Sequence, residues 1–211
     1  MSFKFVAAAG LAVALAGAPA QAGTVFSDNF DADSGGSVLN FNSLINWTVG
    51  GGTIDYIRSG AFGISCVGGT GGCLDMDGST GNAGRITSRQ VFTFDANLQY
   101  SIHMDVSGNQ RGGASDSLFF GLVNADTGVE QSVTVGPLAP NAPFATYGHS
   151  FLGSAAPGNW RLFAEGVGGD NVGAILDNYV LRDNRSVDIP EPATLLLCGL
   201  ALLAAGAARR R

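Results

Sequence analysis

The sequence has 211 residues, a formal net charge of −6 at pH 7 and 45% hydrophobic residues. Both ends of the chain are apolar, so residues 23–188 between them decide what kind of domain is built. This segment contains sixteen acidic residues, seven arginines and no lysine, a net charge of about −9, which argues against partners such as nucleic acid or anionic lipid. Its length of about 166 residues suits one domain with a core better than two.

The N-terminal segment has the three parts of a secretory signal peptide. Lys4 lies in a short first region, residues 5–18 are apolar, and Ala20-Gln21-Ala22 matches the small-x-small pattern of a signal peptidase site. A buried helix is the alternative, but residues 5–18 lack an amphipathic period. We therefore predict a signal helix over residues 1–22, and a mature chain that begins at Gly23.

The middle of the chain predicts many short strands. Between Tyr100 and Ser107 the apolar residues Ile102, Met104 and Val106 alternate with polar ones, which is typical of a strand with one buried face. Similar runs occur at 24–26, 37–41, 45–49, 53–58, 61–65, 73–76, 85–88, 90–94, 118–123, 129–135, 145–152, 160–164 and 174–181. Clusters of Gly, Asp, Asn and Ser separate the runs and favour turns. This pattern predicts an all-β fold, an antiparallel two-sheet sandwich of jelly-roll type over residues 23–181, followed by a linker at 182–189.

Cys66 and Cys73 are the only cysteines of the middle segment. In an exported domain oxidation is favoured, and the glycine-rich stretch between these cysteines is flexible enough to turn a hairpin. We predict that they form a disulfide. A zinc site is the alternative, but neither histidine is placed to complete a tetrahedral set of ligands.

Asp75 and Asp77 precede Gly78 in the way that a calcium loop opens. An EF-hand needs a bidentate Glu at its twelfth position, and that position is occupied by Ile86. The sequence therefore favours an aspartate-rich turn here.

A second set of acidic residues is drawn from the two ends of the predicted domain. Asp28 and Asp31 open it, and Asp177 lies in the closing run Gly173–Leu181, which resembles the last strand of galactose-binding-like domains. In such jelly-roll carbohydrate-binding modules the first and last strands commonly pair, and calcium often lies between them. The resemblance implies a structural calcium at Asp28, Asp31 and Asp177, although no cofactor is required.

The alternation in this closing run places Asp177 on one face with Ile175, Tyr179 and Leu181. A buried carboxylate among apolar neighbours needs a partner. Calcium, an arginine such as Arg58 or Arg182, and ordinary hydrogen bonding remain alternatives for this partner.

No catalytic arrangement stands out in the sequence. Two segments approach the Gly-x-Ser-x-Gly pattern, around Ser65 and Ser150, but both lack the last glycine. His103 and His149 are interpreted as surface histidines. The large aromatic residues are expected mainly in the core, with stacking on a sugar ring as the alternative; they are Trp47, Tyr56, Tyr147, Trp160 and Tyr179.

The C-terminal segment has three parts in a fixed order. Pro190, Glu191 and Pro192 precede an uncharged apolar run at 193–208, and Arg209, Arg210 and Arg211 follow it. The apolar run predicts a transmembrane helix, and the arginines place its end in the cytoplasm by the positive-inside rule. A plain tail anchor is the alternative to a sorting signal.

This tail closely resembles the PEP-CTERM sorting signal of exported bacterial proteins. The resemblance implies recognition by an exosortase-type membrane enzyme and removal of the helix, after a transient stay of the precursor in the inner membrane. The tail family is also labelled an ice-binding protein C-terminal domain, but the body has no regular Thr-x-Thr ladder.

We therefore predict an exported, non-catalytic sandwich protein that is sorted to the cell envelope or extracellular matrix. Its predicted partners are signal peptidase, an exosortase and an extracellular polysaccharide, and it binds glycans or serves in adhesion. The alternative is a secreted polysaccharide hydrolase or lyase.

Overall fold

The structure is a computed structural model, and it describes residues 22–186. Residues 1–21 of the signal peptide predicted at 1–22 lie outside the described residues. So do residues 187–189 of the predicted linker and the predicted sorting tail at 190–211 with its transmembrane helix at 193–208. Residues 22–185 form one compact unit.

The described part of the chain contains twelve strands. They are β1 (Ala22–Asp28), β2 (Trp47–Gly50), β3 (Asp55–Arg58), β4 (Gly72–Asp75), β5 (Arg85–Ser88), β6 (Phe92–Thr93), β7 (Gln99–Ser107), β8 (Asp116–Asn124), β9 (Glu130–Leu138), β10 (Ala145–Leu152), β11 (Asn159–Val167) and β12 (Ile175–Ser186). Within residues 22–186, helical structure is limited to short 3-10 turns at Ala61–Gly63, Val67–Gly69 and Gly153–Ala155. None of the helices in this range has the length and apolar character needed to cross a membrane.

The strands form two six-stranded antiparallel sheets. Sheet I has the order β10-β7-β12-β4-β3, with β1 paired to β12, and sheet II has the order β2-β5-β11-β8-β9, with β6 paired to β11. The predicted two-sheet antiparallel sandwich is confirmed. The first and last strands pair, as the resemblance to jelly-roll domains implies.

Two of the segments predicted as strands are described by the structure but do not form strands. The segment 37–41 makes a single bridge, from Val38 to Tyr56, and 61–65 forms a 3-10 turn. Phe62 in that turn has a left-handed φ of 54°, a conformation that a strand does not contain.

The last strand is longer than expected. It continues through Ser186, with Arg182 opposite Ser101 and Asp183 opposite Tyr100 on β7. The first part of the segment expected as a linker therefore belongs to the domain, because its backbone completes the ladder between β12 and β7.

Large aromatic side chains fill the core between the sheets. Trp47 and Tyr179 are fully buried, with ring centroids 4.9 Å apart, and the Tyr179 hydroxyl donates a hydrogen bond of 3.0 Å to the Phe163 carbonyl of sheet II. A smaller apolar cluster lies on the outer side of sheet I, where Ile57 and Ile175 pack against Ile64 and the two cysteines. The outer side of sheet I is thus partly covered by the segment 59–71.

A bulge in β12 changes which residues face the core. The pairing of β12 with β7 shifts between Asp177 and Val180, and Asn178 has a left-handed φ of 50°. The expectation that Asp177 shares a face with Tyr179 and Leu181 is therefore wrong. Tyr179 and Leu181 belong to the core between the sheets, whereas Asp177 lies on the outer side of sheet I, because the extra residue reverses the alternation.

Candidate functional site

The outer side of sheet I carries a polar trough. In β7 the residues Ser101, His103 and Asp105 alternate with buried Ile102 and Met104, so their side chains point away from the core. Neighbouring residues of β10 and β12 complete two cavities that share His103. One, of about 380 Å³, is lined by His103, Asp105, Thr146, Asn178, Val180 and Arg182; the other, of about 220 Å³, is lined by Gln99, Tyr100, Ser101, His103, Ser150, Asp183 and Asn184. We call these two cavities together the trough.

Hydrogen bonds fix the side chains on one wall of the trough. Asp105 accepts a hydrogen bond of 2.5 Å from the Thr146 hydroxyl and one of 2.9 Å from the Asn178 side-chain amide. Asn178 reaches Asp105 because it lies in the β12 bulge. The trough thus presents hydroxyl, amide, carboxylate, imidazole and guanidinium groups, which supply both donors and acceptors.

A third cavity adjoins the trough at Asn178. It has a volume of about 150 Å³ and is lined by Asn29, Asp31, Val67, Thr70, Asp177 and Asn178. We call it the aspartate cavity, because Asp31 and Asp177 are its two charged residues.

The carboxylates of the aspartate cavity hold the disulfide loop. Asp177 Oδ2 accepts a hydrogen bond of 3.0 Å from the Val67 N–H, and Asp31 Oδ1 accepts one of 2.7 Å from the Gly72 N–H. Val67 follows Cys66 and Gly72 precedes Cys73. The predicted disulfide between Cys66 and Cys73 is present, with a Cα–Cα distance of 5.5 Å.

Burial makes the charge of Asp177 costly. The residue is 4% exposed, and burial raises the pKa of its carboxyl to about 7, while the Val67 and Asn178 N–H groups offset part of the effect and the charges of Asp31 and Asp105 add to it. Asp105 lies directly opposite Asp177 on the neighbouring strand, and like charges in such a pair repel. Protonation of Asp177, or a cation beside it, would relieve this repulsion.

The structure brings together only part of the predicted calcium set. Asp31 and Asp177 line the same cavity, but Asp28 does not line it. Asp28 Oδ2 instead accepts hydrogen bonds from the Trp47 indole N–H at 2.8 Å and the Asn46 amide at 3.0 Å, and its Oδ1 accepts the Phe30 N–H at 2.9 Å. Asp28 therefore anchors a core tryptophan.

The aspartate cavity offers ligands that suit calcium. The side-chain oxygens that could bind a metal ion belong to the carboxylates of Asp31 and Asp177, the amides of Asn29 and Asn178, and the Thr70 hydroxyl. Calcium takes oxygen ligands of these types. The grouping of three acidic, histidine or cysteine side chains that would make a metal site is not found within residues 22–186. These residues therefore fit calcium with two carboxylates, and the remaining ligands would be amide, hydroxyl or water oxygens.

Sequence reasoning missed the trough. Asp105 was not among the predicted site residues, Arg182 was considered only as a possible partner of Asp177, and His103 was interpreted only as a surface histidine. The alternation in β7 did indicate which of its side chains face outward. Most of the aromatic residues considered for sugar stacking lie in the core; Trp47, Tyr56 and Tyr179 are fully buried and Trp160 is 4% exposed.

Residues 188–211 match the family model described as the PEP-CTERM protein-sorting motif. The chain carries a PEP-CTERM sorting motif. This PEP-CTERM tail indicates an exported protein. A comparison with curated proteins gave no match.

The described body of the chain, outside this PEP-CTERM motif, is similar in fold to several solved structures. An arabinose-bound α-L-arabinofuranosidase, MgGH51, matches with 11% identity and a TM-score of 0.51, over 80% of this chain and 28% of that one. The xylan-binding domain CBM22-1 of Paenibacillus barcinonensis Xyn10C matches with 16% identity and a TM-score of 0.48, over 81% and 100% of the two chains. The C-terminal family 22 carbohydrate-binding module of Clostridium thermocellum Xyn10B matches with 14% identity and a TM-score of 0.49, over 78% and 96%. At these identities the likeness concerns the fold.

Proposed function

We propose that this protein is exported, is sorted to the cell envelope by its PEP-CTERM tail, and binds a glycan there through the trough on sheet I without catalysing a reaction. The observation that carries the glycan proposal is the run of polar side chains on the outer side of sheet I, which extends from Asn184 through His103 to Asn178. Sugar hydroxyls both donate and accept hydrogen bonds, and the trough offers partners of both kinds.

The acidic groups in the trough are engaged as hydrogen-bond and ion-pair partners. Asp105 accepts bonds from Thr146 and Asn178, and Asp183 forms an ion pair with Arg185. General acid–base chemistry on a glycosidic bond needs two carboxyl groups placed on either side of the bond. The Asp183 side chain is only 1% exposed, so Asp105 is the carboxylate of the trough that is placed to meet a glycan, and one carboxylate supports a role in binding.

We further propose that calcium binds in the aspartate cavity. Asp31 and Asp177 already fix the two ends of the disulfide loop, and a cation between them would offset the repulsion among Asp31, Asp105 and Asp177. Because Asn178 lines both the aspartate cavity and the trough, the ion would also stabilise one end of the glycan site.

The glycan proposal is tested by affinity gel electrophoresis of the full chain in detergent, with soluble xylan, arabinan, galactan and alginate in separate gels. We expect retardation by at least one polysaccharide, and a loss of about tenfold or more in affinity in His103→Ala and Arg182→Ala. Thr146→Val should also weaken binding. Its matched control is Thr134→Val, an exposed threonine on β9 of sheet II, which should bind like the wild type.

Two results would count against glycan binding in the trough. One is that none of the four polysaccharides retards the wild-type protein. The other is that the trough variants are retarded as strongly as Thr134→Val while their circular dichroism spectra stay native.

A further inference from the structure

A second group of carboxylates lies where three loops meet at one end of sheet I. Asp75 ends β4 and forms an ion pair with Arg111 of the β7–β8 loop. The Arg111 guanidinium also donates a hydrogen bond of 3.2 Å to the Asn171 carbonyl of the β11–β12 loop. Asp77 follows β4 at the start of the β4–β5 loop. We call this group, formed by Asp75, Asp77, Asp116 and Asp170, the loop-end cluster.

Asp77 has an oxygen without a partner. The residue is 1% exposed, and its Oδ2 accepts a hydrogen bond of 3.1 Å from the Asp170 N–H. Its Oδ1 is buried and has no hydrogen-bond partner, the single such side-chain atom among the described residues. Buried polar atoms in proteins are nearly always paired, and a buried carboxylate oxygen without a partner is strongly unfavourable.

Two further carboxylates, those of Asp116 and Asp170, lie near Asp77. Asp116 is 4% exposed and accepts a hydrogen bond of 2.7 Å from the Asn109 amide. Burial raises the pKa of the Asp116 carboxyl, and the charges of Asp170 and Asp77 raise it further. Arg111 pairs with Asp75, so the described residues leave Asp77, Asp116 and Asp170 without an ion pair.

Two glycines let the β11–β12 loop close around Asp77. A Cβ atom at Gly168 would lie 2.5 Å from Asp77 Oδ2, and one at Gly173 would lie 2.8 Å from Asp75 Oδ1. The Gly173 N–H donates a hydrogen bond of 2.9 Å to Asp75 Oδ1. Backbone groups thus satisfy Asp75 Oδ1 and Asp77 Oδ2, and leave Asp77 Oδ1 as the one free acceptor.

We propose that Asp77 Oδ1 is a ligand of a calcium ion at the loop-end cluster, and that the charges of the nearby Asp116 and Asp170 carboxylates help to balance the charge of this ion. Calcium accepts six to eight oxygen ligands and takes backbone carbonyls and water readily. Such ligands are needed here, because residues 22–186 do not bring three acidic, histidine or cysteine side chains into a ready-made metal site. This site is separate from the aspartate cavity and is independent of the glycan proposal.

The test counts bound calcium on the full chain in detergent by equilibrium dialysis with radioactive Ca²⁺. Asp77→Asn keeps an oxygen for the Asp170 N–H but removes the charge, and it is expected to bind one calcium ion fewer per chain than the wild type. The matched control is Asp126→Asn, whose exposed carboxylate contacts Asn159 and whose calcium count should not change. Asp31→Asn reports on the aspartate cavity, and its effect should add to that of Asp77→Asn.

A thermal melt separates a lost ligand from a damaged fold. Without calcium, Asp77→Asn should melt at or above the temperature of the wild type, because the substitution removes an uncompensated buried charge. With calcium, the wild type should gain more in melting temperature than the variant does. If Asp77→Asn does not fold, Asp116→Asn should show the same loss of one ion.

The proposal is overturned if Asp77→Asn, or Asp116→Asn in its place, binds as many calcium ions as the wild type. It is also overturned if the wild type binds none, in which case the oxygen is met by water alone.

Discussion

The Val67 N–H donates a hydrogen bond of 3.0 Å to Asp177, a residue 110 positions further along the chain. The partner bond from the Gly72 N–H to Asp31 lies at the other end of the same loop, and the Cys66–Cys73 disulfide closes that loop. Carboxylates from the first and last parts of the domain therefore position a loop that borders the aspartate cavity. The loop, the cavity and the trough form one connected region on sheet I.

The pH dependence of stability should report the buried carboxyls. Burial raises the pKa of Asp177 from 3.8 to about 7, and burial also raises that of Asp75 to about 7, although Arg111 and backbone N–H groups act in the opposite direction. The folded protein thus holds protons that the unfolded chain has released. In chelator, the free energy of unfolding should fall as pH rises from about 4 to about 7, by at most about 1.4 kcal/mol per pH unit for each group.

Urea unfolding at a series of pH values measures this slope. Asp177→Asn should make the slope shallower, and added calcium should do the same in the wild type, because an ion beside the carboxylate stabilises its charged form. An unchanged slope in Asp177→Asn would show that this carboxyl titrates normally.

Gly71 should be less tolerant of a side chain than Gly69. Both have a φ of 73°, so alanine is strained at either position, but a Cβ at Gly71 would collide with the Asp31 carboxylate, whereas nothing lies near a Cβ at Gly69. We expect Gly69→Ala to cost about 1 kcal/mol of stability and Gly71→Ala about 1 to 3 kcal/mol more. Denaturant unfolding compares the two variants, and equal losses would contradict the contact between Gly71 and Asp31.

Removal of the disulfide should loosen the loop without unfolding the domain. The bridge closes a short loop, with a separation of 7 residues, for which chain-entropy arithmetic gives roughly 2 to 3 kcal/mol. The double variant Cys66→Ala/Cys73→Ala should lose about this much in denaturant unfolding and keep its circular dichroism spectrum. The wild type in reductant is the control and should behave in the same way; a variant as stable as the oxidised protein would contradict the prediction.

Processing of the tail should change the mass of the protein. In a host with an exosortase, intact-mass analysis should find a chain that lacks the apolar residues 193–208, and in a host without one the chain should retain them. Glu191→Ala alters the central residue of Pro190-Glu191-Pro192 and should reduce the cleaved fraction. Equal masses from the two hosts would reject processing.

The sequence predicted much of the fold because period-two alternation is a local signal. β5 and β10 have the predicted bounds, and β7 differs by one residue. Segment 61–65 could not be assigned in this way, because the left-handed backbone of Phe62 leaves no mark in the polarity pattern. The end of β12 was missed because Arg182 and Asp183 form a strand through partners on β7, which a single segment does not reveal.

The candidate site was harder to predict, since it depends on a bulge. Asn178 has a left-handed φ and thereby places Asp177 on the outer side of sheet I and Tyr179 in the core, while simple alternation predicts that the two share a face. The pairing of Cys66 with Cys73 was predictable because they are the only two cysteines of the segment between the two apolar ends. The oxygen of Asp77 that lacks a hydrogen-bond partner could not be predicted, because the loop that encloses Asp77 comes from the distant segment 168–173.

The most direct test of the account is to map the binding surface by NMR. Backbone amide shifts of the full chain in detergent would be recorded while the polysaccharide that binds best in electrophoresis is added. We predict shift changes in β7, in β10 and around the Asn178 bulge of β12, with the β8 and β9 amides of sheet II unchanged. Changes confined to sheet II, or none at saturating polysaccharide, would contradict the assignment of the trough as the glycan site.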